Sequence, residues 1–314
     1  MPKMSTPAIE AFQKKQKARP RLAAGQGKEN AESVSVPLWV ESWRRLVRRP
    51  TAVLGMIIFL ALVSMALFPS LIAPEGYDNQ QFTRLFLPPN GQNIMGTDNL
   101  GRDVFSRVVY GASYSMRVGF FAVLSSCLFG GVLGSIAAFY GSRVDNIIMR
   151  FLDIILSIPS ILLAIAITSV LGASLTNLII AISVSDFPHY ARIVRASILG
   201  IKEQEFVEAA RAIGASDARI IFRHLLPNAM APIIVQATVG LGMSILSCAS
   251  LSFIGLGIQP PLPEWGTMLS TGREYIREYW WLVVFPGMFI MLAVFSVNLF
   301  GDGLRDALDP RLKR

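Results

Sequence analysis

Six stretches of this 314-residue chain stay apolar for about twenty residues or more, which is the length of helix that crosses a bilayer. They lie at 52–73, 115–139, 149–171, 175–195, 230–256 and 282–301. The composition agrees, with 53% hydrophobic and 16% charged residues and a mean hydropathy of +0.50, values of a membrane protein rather than a globular one. The expected fold is therefore all-α, a polytopic membrane protein with six transmembrane helices. The runs are uneven. The third carries Arg150 and Asp153 near its start, and Pro159 should kink it. In the fourth, Asp186, Pro188 and His189 interrupt the pattern, whereas the fifth is rich in Gly and Ser and carries no charge.

Basic residues orient the spans. With the N-terminus inside, 23 of the 29 Lys and Arg fall on the cytoplasmic side, so both termini are expected to be cytoplasmic. The remaining six, Arg84, Arg102, Arg107, Arg117, Arg273 and Arg277, lie on outer segments that also carry acids. Residues 1–50 supply most of the net charge of +8, which therefore needs no nucleic acid to explain it. Residues 1–33 have neither periodicity nor an apolar run and read as a disordered cytoplasmic tail. Residues 34–50 read as an interfacial helix on membrane lipid, with Trp39, Trp43, Leu46 and Val47 on one face and Arg44, Arg45, Arg48 and Arg49 largely on the other. A first transmembrane helix at 51–73, an extracytoplasmic loop at 74–112, a transmembrane core at 113–302 and a cytoplasmic tail at 303–314 complete the expected order.

Catalytic machinery is not visible. Cys127 and Cys248 sit inside candidate spans and suggest packing, the two histidines are isolated, and the sequence holds neither a G-x-x-x-x-G-K-[ST] phosphate loop nor a G-x-S-x-G elbow. No catalytic, cofactor or metal site is expected.

One insert between spans is polar. In EFVEAARAIGASDARIIFRHLLPN (Glu205 to Asn228), Phe206, Ala209, Ala210 and Ile213 recur at helical spacing and predict a short helix with a shallow apolar face. Gly214 should end it in the left-handed conformation, and Ser216 or Asp217 should cap a second helix that stops before Pro227. Two short helices with a small-residue corner are shaped to enter a cleft in another protein.

Within the spans, Ser126, Gly130, Gly134 and Ala138 repeat every four residues and suit close helix contact, either with a second transmembrane subunit or with this chain's own helices. In the fifth run, Gly240, Gly242, Ser244, Ser247, Ser250, Ser252, Gly255 and Gly257 form a small, hydroxyl-bearing wall. Such a wall either lines a solute path, with Ser244, Ser247 and Ser250 as candidate pore residues, or packs tightly. Asp186 is a candidate functional acid by its place in a span, but His189 and Arg192 nearby favour an ordinary paired or snorkelling residue. Thr97 or Asp98 could cap a helix toward Tyr110, and Tyr275, Tyr279, Trp280 and Trp281 read as an interfacial belt.

These residues together carry a resemblance. Glu208, Ala209, Ala210, Gly214, Leu226 and Pro227 match, at the right spacing, the E-A-A, three residues, G, nine residues, I-x-L-P signature of bacterial ABC importer permeases, with His224 in the isoleucine position. MGTDNLGRDVFSR (Met95–Arg107), SLSFIGLGIQPPLPEWG (Ser250–Gly266) and GDGLRDALDPR (Gly301–Arg311) are similar to the dipeptide/oligopeptide/nickel branch, specifically its C-type permease. Phe187 departs from that branch, which often has Trp there. The resemblance covers about residues 40–314 and implies a type I importer half-channel in the bacterial inner membrane. It implies a second homologous permease, two ATPase subunits that bind the ATP, an extracytoplasmic binding protein and a peptide substrate, with nickel or glutathione as alternatives. It also implies that the six signature residues, in the loop 203–227, couple the channel to the ATPases. An intramembrane enzyme would need a nucleophile-base pair or metal set, and a passive channel would not need the corner.

Overall fold

A computed structural model describes residues 38–308, with side chains from residue 43, and every regular element in that range is helical. The readings of residues 1–37 and 309–314 lie outside the described residues. Residues 1–41 separate from the rest as a unit of which only 38–41 are described, in helical conformation; the remainder of the fold belongs to residues 42–308.

Helix α1 (Leu38–Val47) falls where the interfacial helix is expected. Leu46 packs inward with Ala52 and Ala307, while Trp43 and Val47 stay exposed. Helix α2 (Pro50–Leu67) starts on Pro50, whose missing N–H costs nothing in a first turn. A short turn at Pro69–Ile72 and an irregular loop lead to α3 (Val104–Tyr140), which the Asp103 side chain caps by accepting from the Ser106 amide at 2.7 Å. The cap is thus Asp103, not Thr97 or Asp98. Asp98 is occupied in its own turn, accepting from the Leu100 and Arg102 amides and pairing with the Arg102 side chain at 2.7 Å. Thr97 Oγ1 bridges the Leu87 amide and the Arg84 carbonyl.

The expected third span is broken. Helices α4 (Ser142–Leu156) and α5 (Ser160–Leu171) meet at 81°, and Pro159 caps α5 instead of merely kinking one helix. Sequence explains both halves. Helix α4 has Arg143, Asp145, Arg150 and Asp153 spaced among apolar residues, whereas α5 is largely apolar and carries no charge. Helix α6 (Leu175–Leu199) runs unbroken through Asp186, Pro188 and His189, so these residues do not interrupt it. Asp186 is therefore near the middle of a 25-residue helix rather than at its end.

Helix α3 lies along α6, and here the four-residue stripe finds its partner. A Cβ on Gly130 would sit 2.6 Å from the Phe187 carbonyl oxygen, and one on Gly134 would sit 2.3 Å from that of Ala191. Ser126 Oγ reaches the Ser183 carbonyl at 3.3 Å. Of the two readings of the stripe, packing within the chain is the one observed. Two ion pairs tie α4 to the same helix: Arg195 grips Asp145 with bonds of 2.5 and 2.6 Å, and Arg192 meets Asp153 at 2.5 Å.

After α7 (Glu205–Ala212) and a second short arm come α8 (Met230–Phe253), α9 (Trp265–Gly272) and α10 (Trp281–Leu308). Residues 303–308, read as the start of a tail, continue α10; Gly303 packs on Ala52, and Asp306 pairs with Arg49. Gly55 of α2 lies against Leu299 and the Ser296 carbonyl. Glu264 is fully buried, yet its carboxylate accepts from the Thr267 amide at the N-terminus of α9 (2.9 Å) and from Ser115 Oγ (3.0 Å). Trp281 is not a belt residue. Its ring is buried and its Nε1 donates to the Thr97 carbonyl at 3.1 Å, while Tyr279 stacks on Phe86 at 4.1 Å; Trp280 stays half-exposed.

Among the described residues, four helices, α2, α3, α8 and α10, are long and apolar enough to cross a membrane, and the bent α4–α5 pair makes a fifth if counted as one span. Helix α6 is long enough but, with Asn177, Asp186, His189 and Arg192 among its residues, not apolar enough for that description, so length and composition alone give four or five spans and do not confirm six. Leu54, Ile57 and Leu60 on α2, with Leu128 and Phe129 on α3, are exposed, as lipid-facing or partner-facing positions are.

Candidate functional site

The polar insert folds into a corner. Glu205 and Glu208 stand in the first turn of α7 and complement the positive end of its dipole, and Arg211 in the last turn reaches over the Phe139 ring at 5.5 Å. The Gly214 amide donates to the Arg211 carbonyl and the Ala215 amide to that of Ala210, the double bond pattern of a glycine-terminated helix. Gly214 has φ +76°, as its position in the sequence requires, and a Cβ there would meet nothing within 4 Å. Its constraint is therefore conformational, not steric.

Only part of the face that spacing suggests turns inward, with Phe206 half-buried against the same cluster as Ala210. Val207 and Ala210 are buried with Val194, Ile198, Ile220, Leu225 and Ile233, whereas Ala209 is exposed and Ile213 is 85% exposed. Periodicity found an apolar stripe but could not tell that one edge of it points outward. Phe222, more than half exposed, adds to the open apolar surface, and Glu208, next to Ala209 in sequence, is exposed too. The second arm also differs from expectation. It begins as α-helix at Asp217, widens to a π-turn over Ile220–Leu225 and continues through Leu226–Asn228, so Pro227 does not end it. The wide turn makes room for a ring that would otherwise press on the carbonyl four residues back. Ser216 occupies the cap position without a side-chain bond. Leu226 is half-buried and Pro227 exposed.

The candidate pore residues separate. Ser244 is buried inside the chain, Ser247 is half-buried and Ser250 is exposed. Positions three apart drift around a helix by about 60° per step, so Ser244 and Ser250 stand about 120° apart and meet different surroundings. Ser250 Oγ already donates to the Leu246 carbonyl at 2.8 Å. Much of the small-residue wall packs within the chain: Gly240 against the Tyr190 hydroxyl, Gly242 against Val294, Gly257 against Ser252. The sequence did not reveal that Ser247, with Ser160 and Ser185, borders a cleft at Asp186. Nor does Asp186 pair with Arg192, which is taken by Asp153.

A model of the binding-protein-dependent transport system inner membrane component matches residues 130–314, which is more than half of the chain and includes the corner. The chain belongs to that family. A model of the N-terminal transmembrane domain of oligopeptide transport permease C also matches residues 37–89. Among curated relatives of this permease, the dipeptide transport system permease protein DppC of Alkalihalophilus pseudofirmus is 47% identical, covering 89% of this chain and 92% of its own length. The di/tripeptide transport system permease protein DppC of Pseudomonas aeruginosa is 45% identical, covering 87% and 92%. The glutathione transport system permease protein GsiD of Pectobacterium atrosepticum is 41% identical, covering 90% and 94%. Among solved structures, a chain of the inward-facing MetNI methionine ABC transporter aligns with a TM-score of 0.54 and 21% identity, over 65% of this permease and 96% of that chain, which shows the fold. The family is one of membrane transport permeases.

Proposed function

We propose that this permease is one half of the channel in an ATP-driven importer of dipeptides and oligopeptides. The observation that carries the reading is the family match together with relatives of 47% and 45% identity named for dipeptide and di/tripeptide transport. A second homologous permease completes the pore, two ATPase subunits drive it, and an extracytoplasmic binding protein delivers peptide to the 74–112 and 257–281 segments. Both termini are cytoplasmic in this reading, which follows the bias of basic residues.

In this reading the corner formed by Glu208, Ala209, Ala210 and Gly214, with Leu226 and Pro227 on its second arm, enters a cleft in an ATPase. Its exposed Ile213 and Ala209 supply apolar contact, and Glu205 and Glu208 supply charge complementarity. ATP-driven approach of the two ATPases then moves the corners of both permeases together and turns the pore outward. Import of glutathione is the alternative, supported by the 41% relative. The test is uptake into vesicles that hold the two permeases and the ATPases, with binding protein and ATP supplied. Labelled dipeptide should accumulate in preference to glutathione, and the reverse preference would move the assignment to the alternative.

A further inference from the structure

We infer that Asp186, with Ser160, Ser185 and Ser247, forms a station for a primary ammonium group, the N-terminal amine of a peptide in transit. The inference rests on the importer reading above. Three helices converge on the cleft: α6 brings Ser185 and Asp186, α5 brings Ser160 and α8 brings Ser247, with Ala164 and Ile182 between them.

A carboxylate within a membrane-embedded helix bundle is costly unless something pairs with it. The other acids on α4 and α6 have partners, Asp145 with Arg195 and Asp153 with Arg192. Asp186 has no hydrogen bond or ion pair among the described residues, although Arg192 lies six positions along the same helix. The Ser160 and Ser247 hydroxyls are also without hydrogen-bond partners among the described residues, and Ser185 donates to the Ala181 carbonyl while its lone pairs stay free. The cleft thus presents one anion and three hydroxyl oxygens, all able to accept, and no cation.

Chemistry narrows the guest. The innermost part of the cleft holds about 10 Å³, room for one water-sized group. An ammonium head is of that size and brings three donors to these acceptors. The site also lies where the chain breaks: Ser160 is the first residue after Pro159, at the 81° turn between α4 and α5. Interrupted helices of this kind supply binding positions within membranes, because backbone leaves its ladder only where it borders a cavity.

The station is to be tested in the assembled importer. Ser247→Cys should react about tenfold faster with a cationic than with an anionic methanethiosulfonate of equal size, and peptide turnover should slow the reaction. Equal rates for the two reagents with Asp186 intact would overturn the inference, and this arm does not depend on any variant at 186. Asp186→Asn should abolish the rate difference and lower dipeptide uptake about tenfold, while binding-protein-stimulated ATP turnover persists. Wild-type uptake by Asp186→Asn would also overturn it. Replacing sodium and potassium by choline should leave uptake unchanged; a loss on replacement would assign the site to an alkali ion instead. If the wild-type complex imports no peptide at all, the importer reading fails, whereas failure confined to the Asp186 arms leaves that reading standing.

Discussion

Gly214 holds the corner through conformation alone, since a side chain there would have open space around it. Gly214→Val should cost at least about 1 kcal/mol locally by forcing a β-branched residue to φ +76°, and it should misdirect the second arm without disturbing the membrane helices. Glu208→Lys should weaken capture of the ATPases by reversing charge on an exposed face. For both variants the expected result is a permease pair that still assembles but shows depressed peptide uptake relative to ATP turnover, measured side by side in vesicles. Normal values of both would remove the corner from the coupling step. The glycine was legible in the sequence because φ above zero has few other tenants. The outward turn of Ile213 was not, because a face is defined only by what packs on it: Val207, one position beside the expected stripe, took the inner place.

Glycines close together on α3 differ in whether they meet α6. A Cβ at Gly134 would strike the Ala191 carbonyl, whereas one at Gly131 meets nothing within 4 Å. Gly134→Ala should therefore lower the thermal midpoint of the purified permease by several degrees, and Gly131→Ala should raise it slightly by improving helix propensity. Similar shifts for both would show that the α3–α6 contact is looser than described. The Asp145–Arg195 pair gives a second test: Asp145→Arg and Arg195→Asp should each destabilise, and the double exchange should recover at least half of the loss. At this scale the apolar runs predicted most of the helices, since twenty such residues have few alternatives to a helix in lipid. They could not predict the break at Pro159, because an apolar run reads the same whether it is one helix or two. The middle of α6 misled in the opposite sense. Its proline and acid suggest an interruption in a sequence, but close packing on α3 holds the helix together through both.

Across the whole molecule, the chain shows an exposed apolar surface on α2 and α3 and a polar insert between α6 and α8. Cysteines placed at the exposed residues Asn90 and Pro261 should be labelled from outside intact cells, and one at Ser216 should not; external labelling of Ser216 would invert the topology. The seam between the first and last membrane helices carries a further consequence. Arg49 and Asp306 meet across 257 positions of sequence, beside the contacts of Gly55 with Leu299 and of Ala52 with Gly303. At about 5–20 residues per second, a ribosome takes on the order of ten to fifty seconds to traverse that interval. During that time the notch at Gly55 has been made and its match has not. Biogenesis of this permease thus includes a waiting period in which the α10-facing side of α2 stays unclaimed in the bilayer, and a truncated chain lacking α10 would keep the notch open for whatever helix arrives first.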